Sequence, residues 1–179
     1  YPRSDKIQEA SFMGAKSYYE LSPRYSLDQT DTDKALAKLQ TFINNYPDSE
    51  YYDEANAMAK ELTTKKEKKQ IEIAKQFNKL GKFNLPILIS AITAFDNFIT
   101  DNPGSVYREE AFYYRIEAAT ELALNSTEDK KPGRLEDALD SYNNLLRYFP
   151  ETKFKKEADK LAETIREEMS AYQNNTLSK

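Results

Sequence analysis

The residue types that most often carry enzyme chemistry are scarce in this chain. It has 179 residues with no histidine and no cysteine, so the usual general base, the usual zinc ligand and any thiol nucleophile are missing. Carboxylates, serines and lysines could still support acid–base or nucleophilic chemistry. The acidic pairs, such as Asp53-Glu54 and Glu109-Glu110, stand where helices would begin, and acids there favour the helix dipole. We therefore expect a protein that is not an enzyme and uses no metal and no cofactor, and we set aside a helical glycoside hydrolase.

Three closely spaced aspartates, Asp28, Asp31 and Asp33, first suggest a calcium loop. The spacing that calcium loops require, with a central glycine and a terminal glutamate, is absent. Aspartates also serve as helix caps. We interpret them as capping residues of the helix that follows.

A lysine-rich segment runs from Lys60 to Lys82, with eight lysines and three glutamates and thus a local charge of +5. It is either a solvated helix face with i,i+4 ion pairs or a basic patch for an acidic partner or anionic lipid headgroups. The whole chain has a net charge of −4, which argues against nucleic acid as a partner because phosphate binding needs a basic excess.

One block of sequence recurs along the chain and dictates the elements that carry these residues. Residues 35–55, 91–111 and 138–158 align without a gap, and residues 1–10 hold the tail of a fourth copy. The matched positions comprise an alanine, four apolar residues, a proline and a closing Glu-Ala pair: Ala35/Ala91/Ala138, Leu36/Ile92/Leu139, Leu39/Phe95/Tyr142, Phe42/Phe98/Leu145, Ile43/Ile99/Leu146, Pro47/Pro103/Pro150 and Ala55/Ala111/Ala158. Such self-similarity predicts a helical repeat array.

The block predicts a helix, a turn and a second helix. Its first apolar residues follow the 3.6-residue period of a helix, which must end before the proline. Two residues after each proline stands a Ser or Thr suited to N-capping the second helix: Ser4, Ser49, Ser105 and Thr152. Each copy must stack on its neighbours to bury its apolar faces. We predict an all-α fold of tetratricopeptide-like helix–turn–helix repeats stacked as an α-solenoid, forming one domain over residues 1–179 with repeat prolines at Pro2, Pro47, Pro103 and Pro150.

The same patterns predict approximate element bounds. Helices are expected over 4–21, 32–46, 51 to about 80, 111–124 and 152 to about 172, with another beginning near Pro86. Gly81 is expected to stop the long third helix. Residues 22–32 and 125–133 are expected to form loops, and the first helix is expected to fray or to pack on another molecule, since its partner helix would lie upstream.

Two features of the sequence concern membrane insertion and the extent of the protein. No run of about 20 apolar residues occurs, so no segment is predicted to span a membrane. The chain begins with Tyr-Pro in the middle of a repeat, and we expect it to be the C-terminal part of a longer protein.

Two segments carry a resemblance to a known family. Ala91, Phe95, Phe98 and Pro103 follow the second half of the tetratricopeptide pattern, although successive repeat prolines are 45, 56 and 47 residues apart instead of about 34. The segment Phe-Ile-Asn-Asn-Tyr-Pro-Asp-Ser at 42–49 and the segment Tyr-Ser-Leu-Asp-Gln at 25–29 resemble the BamD (YfiO) lipoproteins of the β-barrel assembly machinery, and the Bacteroidetes branch best.

The resemblance implies a non-catalytic scaffold on the periplasmic side of the outer membrane. Its partners would be the barrel subunit that carries POTRA domains and unfolded outer-membrane proteins. The membrane would be reached only through a lipid anchor absent from this fragment. The alternative is another periplasmic tetratricopeptide adaptor that coordinates the cell envelope or peptidoglycan.

Two segments are the candidate partner-binding residues. They are the loop residues Tyr25, Leu27, Asp28 and Gln29 and the basic residues Lys65, Lys66, Lys68 and Lys69. For the loop an equally weighted alternative is that Tyr25 and Leu27 seal the gap between two repeat units.

Overall fold

A computed structural model describes residues 5–82 and 84–177. All regular elements in these ranges are helices: α1 Asp5–Leu21, α2 Thr30–Asn45, α3 Tyr52–Gly81, α4 Leu85–Asp101, α5 Arg108–Leu124, α6 Lys131–Tyr148 and α7 Lys155–Leu177. The predicted all-α class is confirmed. Within the described ranges, no helix is both long enough and apolar enough to cross a membrane.

Several predicted boundaries are wrong. Helices α2 and α5 begin two and three residues before their predicted starts, at Thr30 and Arg108, and α7 begins three residues after its predicted start, at Lys155. The second loop ends early, because Lys131, Pro132 and Gly133 form the first turn of α6. Proline is tolerated there since the first helical N–H groups have no partner within the helix. At the other end, α7 continues to Leu177, five residues beyond the predicted end. The expected fourth copy of the turn, at Pro2 and Ser4, lies outside the described residues.

The turn between paired helices has the same hydrogen bonds in all three complete copies. The N–H groups of Tyr46, Asn102 and Phe149 close the first helix on the carbonyls of Phe42, Phe98 and Leu145. The hydroxyls of Ser49, Ser105 and Thr152 then accept from the backbone N–H two residues later, at 3.3, 3.1 and 3.2 Å. The helices begin one residue after those N–H groups, so these hydroxyls stabilise the turn instead of capping the helix itself as predicted.

Contacts divide the chain into two compact units, residues 1–69 and 70–179. The interpretation of the whole chain as one repeat domain stays a prediction. In the first unit, α1 packs on α2 through Phe12 and Ala15, each 1% exposed. The ring of Phe12 stacks on Tyr51 at 4.6 Å. The first helix therefore has a partner within its own unit.

In the second unit, α5 packs against α4, α6 and α7. The core of this unit holds the apolar residues that the repeat predicted, and the matched alanines are fully buried: Ala91, Ala111, Ala138 and Ala158, each 0% exposed. Small side chains at these positions let helix backbones approach closely.

Gly81 ends α3 as predicted, but for a different physical reason. No described glycine has a positive φ, so Gly81 is not a left-handed C-cap. A Cβ added there would lie 2.6 Å from Leu88 Cδ2 and 2.9 Å from the Leu88 backbone nitrogen. Leu88 is fully buried, which leaves it no room to retreat. Glycine is required because the end of α3 touches the start of α4.

Replacing Gly81 by alanine should therefore lower the free energy of unfolding by about 1–3 kcal/mol, the usual cost of overpacking. Chemical denaturation of the two proteins would measure the difference. The matched control is Gly14→Ala in α1, where an added Cβ meets nothing within 4 Å. That change should raise stability by about 0.5–1 kcal/mol, because alanine is the better helix former. Equal effects at the two positions would contradict the close approach at Gly81.

Candidate partner-binding surface

The α1–α2 loop, residues 22–29, is built around the side-chain amide of Gln29. This side chain is only 8% exposed. Its Nε2 donates to the carbonyls of Arg24 and Leu27, both at 3.0 Å. Its Oε1 accepts from the hydroxyl of Thr32 at 2.8 Å. Gln29 therefore fixes the path of the loop from within, and it does not present its amide to a partner.

The hydroxyl of Thr32 links the two ends of the loop. It is fully buried in α2 and lies 2.7 Å from the hydroxyl of Ser22, at the end of α1. Sequence reasoning missed both residues. The sequence does show two hydroxyl residues at the ends of the loop, one just after α1 and one in the first turn of α2. Hydroxyl side chains at such positions often bond to nearby polar groups.

The three aspartates predicted to cap α2 take different roles. Asp31 and Asp33 lie inside its first turn and pair with Lys34 and Lys66. Asp28 lies one residue before the N-cap position, which Gln29 occupies, and its Oδ1 accepts from the first helical N–H, that of Thr30, at 2.9 Å. Hydrogen bonds from Thr30, through its side chain first and its backbone second, lower the pKa of the Asp28 carboxyl. Among the described residues no group of acidic side chains is arranged to hold a metal ion.

The four candidate lysines of α3 lie against the loop and the start of α2. The ammonium of Lys65 donates to the Ser22 hydroxyl at 3.0 Å, and that of Lys69 to the Leu27 carbonyl at 2.8 Å. The Lys68 ammonium lies 4.5 Å from the centre of the Tyr25 ring, within the range of a cation–π contact. The Lys66 ammonium pairs with Asp33 of α2 at 2.6 Å.

The structure thus brings seven of the eight candidate residues together on one surface, which we call the loop–lysine surface, and places the eighth, Gln29, beneath it as a buried residue. Lys65 to Lys69 are all partly buried, whereas Lys60, Lys79 and Lys82 are exposed, so the interpretation as a solvated helix face fits the ends of the segment and not its middle. The contacts described above reach the loop and α2. The basic segment therefore supports the loop through two hydrogen bonds and a cation–π contact.

The outer side of the loop–lysine surface presents Leu27. Its side chain is 49% exposed, while its carbonyl is held by both Gln29 and Lys69. Tyr25 is half-buried and Asp28 is exposed. The arrangement places one exposed aliphatic side chain, on a backbone held by hydrogen bonds, beside a carboxylate and several ammonium groups.

Comparison with known proteins decides the family. The family described as YfiO, outer membrane lipoprotein, matches residues 1–87 and 87–178. The chain belongs to this family. It is also similar to the outer membrane protein assembly factor BamD of Caulobacter vibrioides (strain ATCC 19089 / CIP 103742 / CB 15), at 27% identity over 133 residues. That alignment covers 74% of this chain and 42% of the relative, so the chain spans less than half of the relative's length. The resemblance to YfiO proteins is confirmed, and the Bacteroidetes type stays a prediction.

Replacing Gln29 by alanine should loosen the loop. The change removes the hydrogen bonds that Arg24, Leu27 and Thr32 make to the amide and leaves buried polar groups unpaired, at a cost of about 1–3 kcal/mol. Hydrogen exchange of the backbone amides of residues 24–30 should become faster. Gln40→Ala is the matched control, since Gln40 is exposed on α2 and donates only to Asn44 among the described contacts. Unchanged exchange in Gln29→Ala would contradict the role assigned to its amide.

The Asp28 cap should respond to acid. Because folding lowers the pKa of this carboxyl below its ordinary value of 3.8, the cap stabilises the loop above that pH and is lost as pH falls through the folded-state pKa. An NMR titration of the Asp28 carboxyl should show a midpoint below 3.8. In Thr30→Ala, which removes a donor hydroxyl, the midpoint should rise. A native midpoint at the ordinary value would be inconsistent with the cap.

Proposed function

We propose that this chain is a non-catalytic scaffold module of the β-barrel assembly machinery. It works on the periplasmic side of the outer membrane, in a protein that is lipid-anchored at full length. Its partners are the barrel subunit with POTRA domains and unfolded outer-membrane proteins. The observation that carries the proposal is the match of an outer membrane lipoprotein family across residues 1–178, supported by the similarity to an assembly factor.

We assign the contact with the folded partner to the loop–lysine surface. The loop is held before binding by Gln29, Lys65 and Lys69, so little conformational entropy is lost when a partner docks. Leu27 supplies apolar area that leaves water on docking. The surrounding charges exclude partners with mismatched charges.

The acidic side chains support a scaffold over an enzyme. Glu110 and Glu72 both pair with the Lys75 ammonium, at 2.8 and 3.1 Å. Glu109 accepts from the Thr152 hydroxyl at 2.6 Å and from the Lys153 backbone at 2.9 Å, which ties α5 to the turn before α7. These carboxylates hold helices together.

A substitution at Leu27 tests the proposed surface. In the full-length lipoprotein, Leu27→Asp should weaken capture of the POTRA-bearing barrel protein by about tenfold or more, since it removes an aliphatic side chain that docking would bury and adds a charge. Affinity capture from a Gram-negative envelope extract, followed by mass spectrometry, would measure the change. Ile89→Asp is the matched control, because Ile89 is 46% exposed against 49% for Leu27 and lies on α4 in the other unit.

The outcomes separate the possible errors. Equal capture by both variants would reject Leu27 as a contact and leave the assembly role standing. Recovery of cell-wall synthesis or envelope-division proteins in place of a barrel protein would favour the alternative, a different periplasmic adaptor.

A further inference from the structure

A buried arginine joins three helices of the second unit. The side chain of Arg115, on α5, is 16% exposed. Its Nε and Nη2 donate to the two carboxylate oxygens of Asp96 on α4, at 2.5 and 3.3 Å. Its Nη2 and Nη1 donate to those of Asp137 on α6, at 3.2 and 3.5 Å. A single guanidinium thus ties α5 to both of these neighbours.

The hydrogen bonds of this guanidinium are complete. Its Nη1 also donates to the hydroxyl of Ser141 on α6, which is 2% exposed and donates in turn to the Asp137 carbonyl at 2.6 Å. An arginine side chain has five N–H donors, and each of them has an acceptor here. Desolvation acts to lower the pKa of Arg115, but the two carboxylates raise the pKa and prevail, so the guanidinium stays charged. We call Arg115, Asp96, Asp137 and Ser141 the arginine network.

The arginine network belongs to one copy boundary of the repeat. At the matched positions of the other copies there is no arginine and no aspartate. Alanine is the residue matched to Arg115 in both of them, so a repeat helix can pack at this position without any polar group. The matched residues are Ala59 and Ala162 for Arg115, Gln40 and Asn143 for Asp96, Lys34 and Ser90 for Asp137, and Lys38 and Ala94 for Ser141.

Apolar packing at the same junction relies on small side chains. Ala119 and Ala123 follow Arg115 by one and two turns of α5 and are 2% and 0% exposed. Together with Ala138 of α6 they belong to a buried cluster against which Ile92 of α4 packs. Alanine has few atoms with which to interlock, and uniformly packed cores specify one arrangement poorly. These alanines let the helices approach but restrict their rotation and sliding only weakly.

A buried ion network restricts geometry more than it adds stability. Burying charges costs desolvation energy, and apolar residues of similar volume often replace such networks without loss of stability. The planar fork of arginine, however, fits a carboxylate through two parallel bonds. Rotation or sliding of α4 or α6 on α5 would break some of these bonds and leave a buried charge incompletely paired, which is costly. The network therefore penalises other arrangements of the three helices.

We propose that Arg115 is a register lock, a side chain that selects one rotation and one axial position of α4 and α6 on α5. Asp96 and Asp137 are the groups through which it acts on the two helices. Lysine could not replace it, because a single ammonium has three donors and no planar fork. The inference concerns the second unit alone and is independent of the assembly role.

Nuclear magnetic resonance of the unmodified chain gives the first test. Because every donor of Arg115 is held, rotation of its guanidinium should be slow, and its Nη protons should give separate signals. Arg147 is the internal comparison, since it is exposed on α6 and its Nη protons should be averaged by rotation. Averaged signals for both arginines would overturn the lock.

Distances between α4 and α6 give the second test. The chain has no cysteine, so cysteines introduced at Asn97 and Asn143, both exposed, can carry a pair of spin labels. The variant Arg115→Met with Asp96→Asn and Asp137→Asn removes the network together with its charges. Its distance distribution, measured by pulsed electron paramagnetic resonance, should become about twofold wider or split, since mainly small apolar contacts remain. Arg115→Lys should widen the distribution as well.

Lys131→Met is the matched control. The Lys131 side chain is 18% exposed and pairs with Glu168 between α6 and α7 at 2.8 Å, so its loss should leave the α4–α6 distances unchanged. Chemical denaturation separates a lock from a stabilising contact, because the triple variant should unfold at the same denaturant concentration as the parent or at a higher one. An unchanged distance distribution in the triple variant would overturn the proposal, whatever its stability.

Discussion

Close approach of helix backbones at six alanines is the constraint on which both units depend. Each complete copy of the repeat places one alanine in its first helix and one in its second helix, and all six are fully buried. These residues are Ala35, Ala55, Ala91, Ala111, Ala138 and Ala158. Larger side chains would overpack the contacts. Because the twenty residues from one alanine to the next must include the turn, the proline and the hydroxyl residue fall at fixed positions, and the three turns form the same hydrogen bonds.

The alanines, prolines and hydroxyl residues of the repeat are thus the same in every complete copy, and the copies differ at the remaining positions. The loop–lysine surface forms where the loop before the first complete copy packs on α3. Hydrogen bonds from the Gln29 amide hold that loop in place. In α5, Arg115 stands where the other two copies have Ala59 and Ala162, and it pairs with Asp96 of α4 and Asp137 of α6. In both places a partly or fully buried polar side chain fixes the positions of the neighbouring elements.

The sequence predicted most features that depend on local pattern. It missed contacts between residues that are far apart in the chain. Helix class, buried alanines and turn positions follow from periodicity and from proline. The start of α6 was missed because Pro132 and Gly133 are typical of loops, although the first helical turn accepts both. The sequence singled out Tyr25–Gln29 and Lys65–Lys69 separately. Their contact could not be predicted, since Leu27 and Lys69 are 42 residues apart and only the packing of α1, α2 and α3 joins them.

The lysine-rich segment shows why local charge is a poor guide to function. Its excess of +5 suggested attraction to an acidic surface, yet most of its ammonium groups already have acceptors or a ring beside them. Lys65, Lys66, Lys68 and Lys69 hold the loop and α2, Lys75 is shared by two glutamates, and Lys82 pairs with Glu117 at 3.3 Å. A lipid headgroup would have to compete with these contacts, and surface charge pairs contribute little on their own. What the segment does in the structure is hold the loop that carries Leu27, since Lys69 donates to the Leu27 carbonyl.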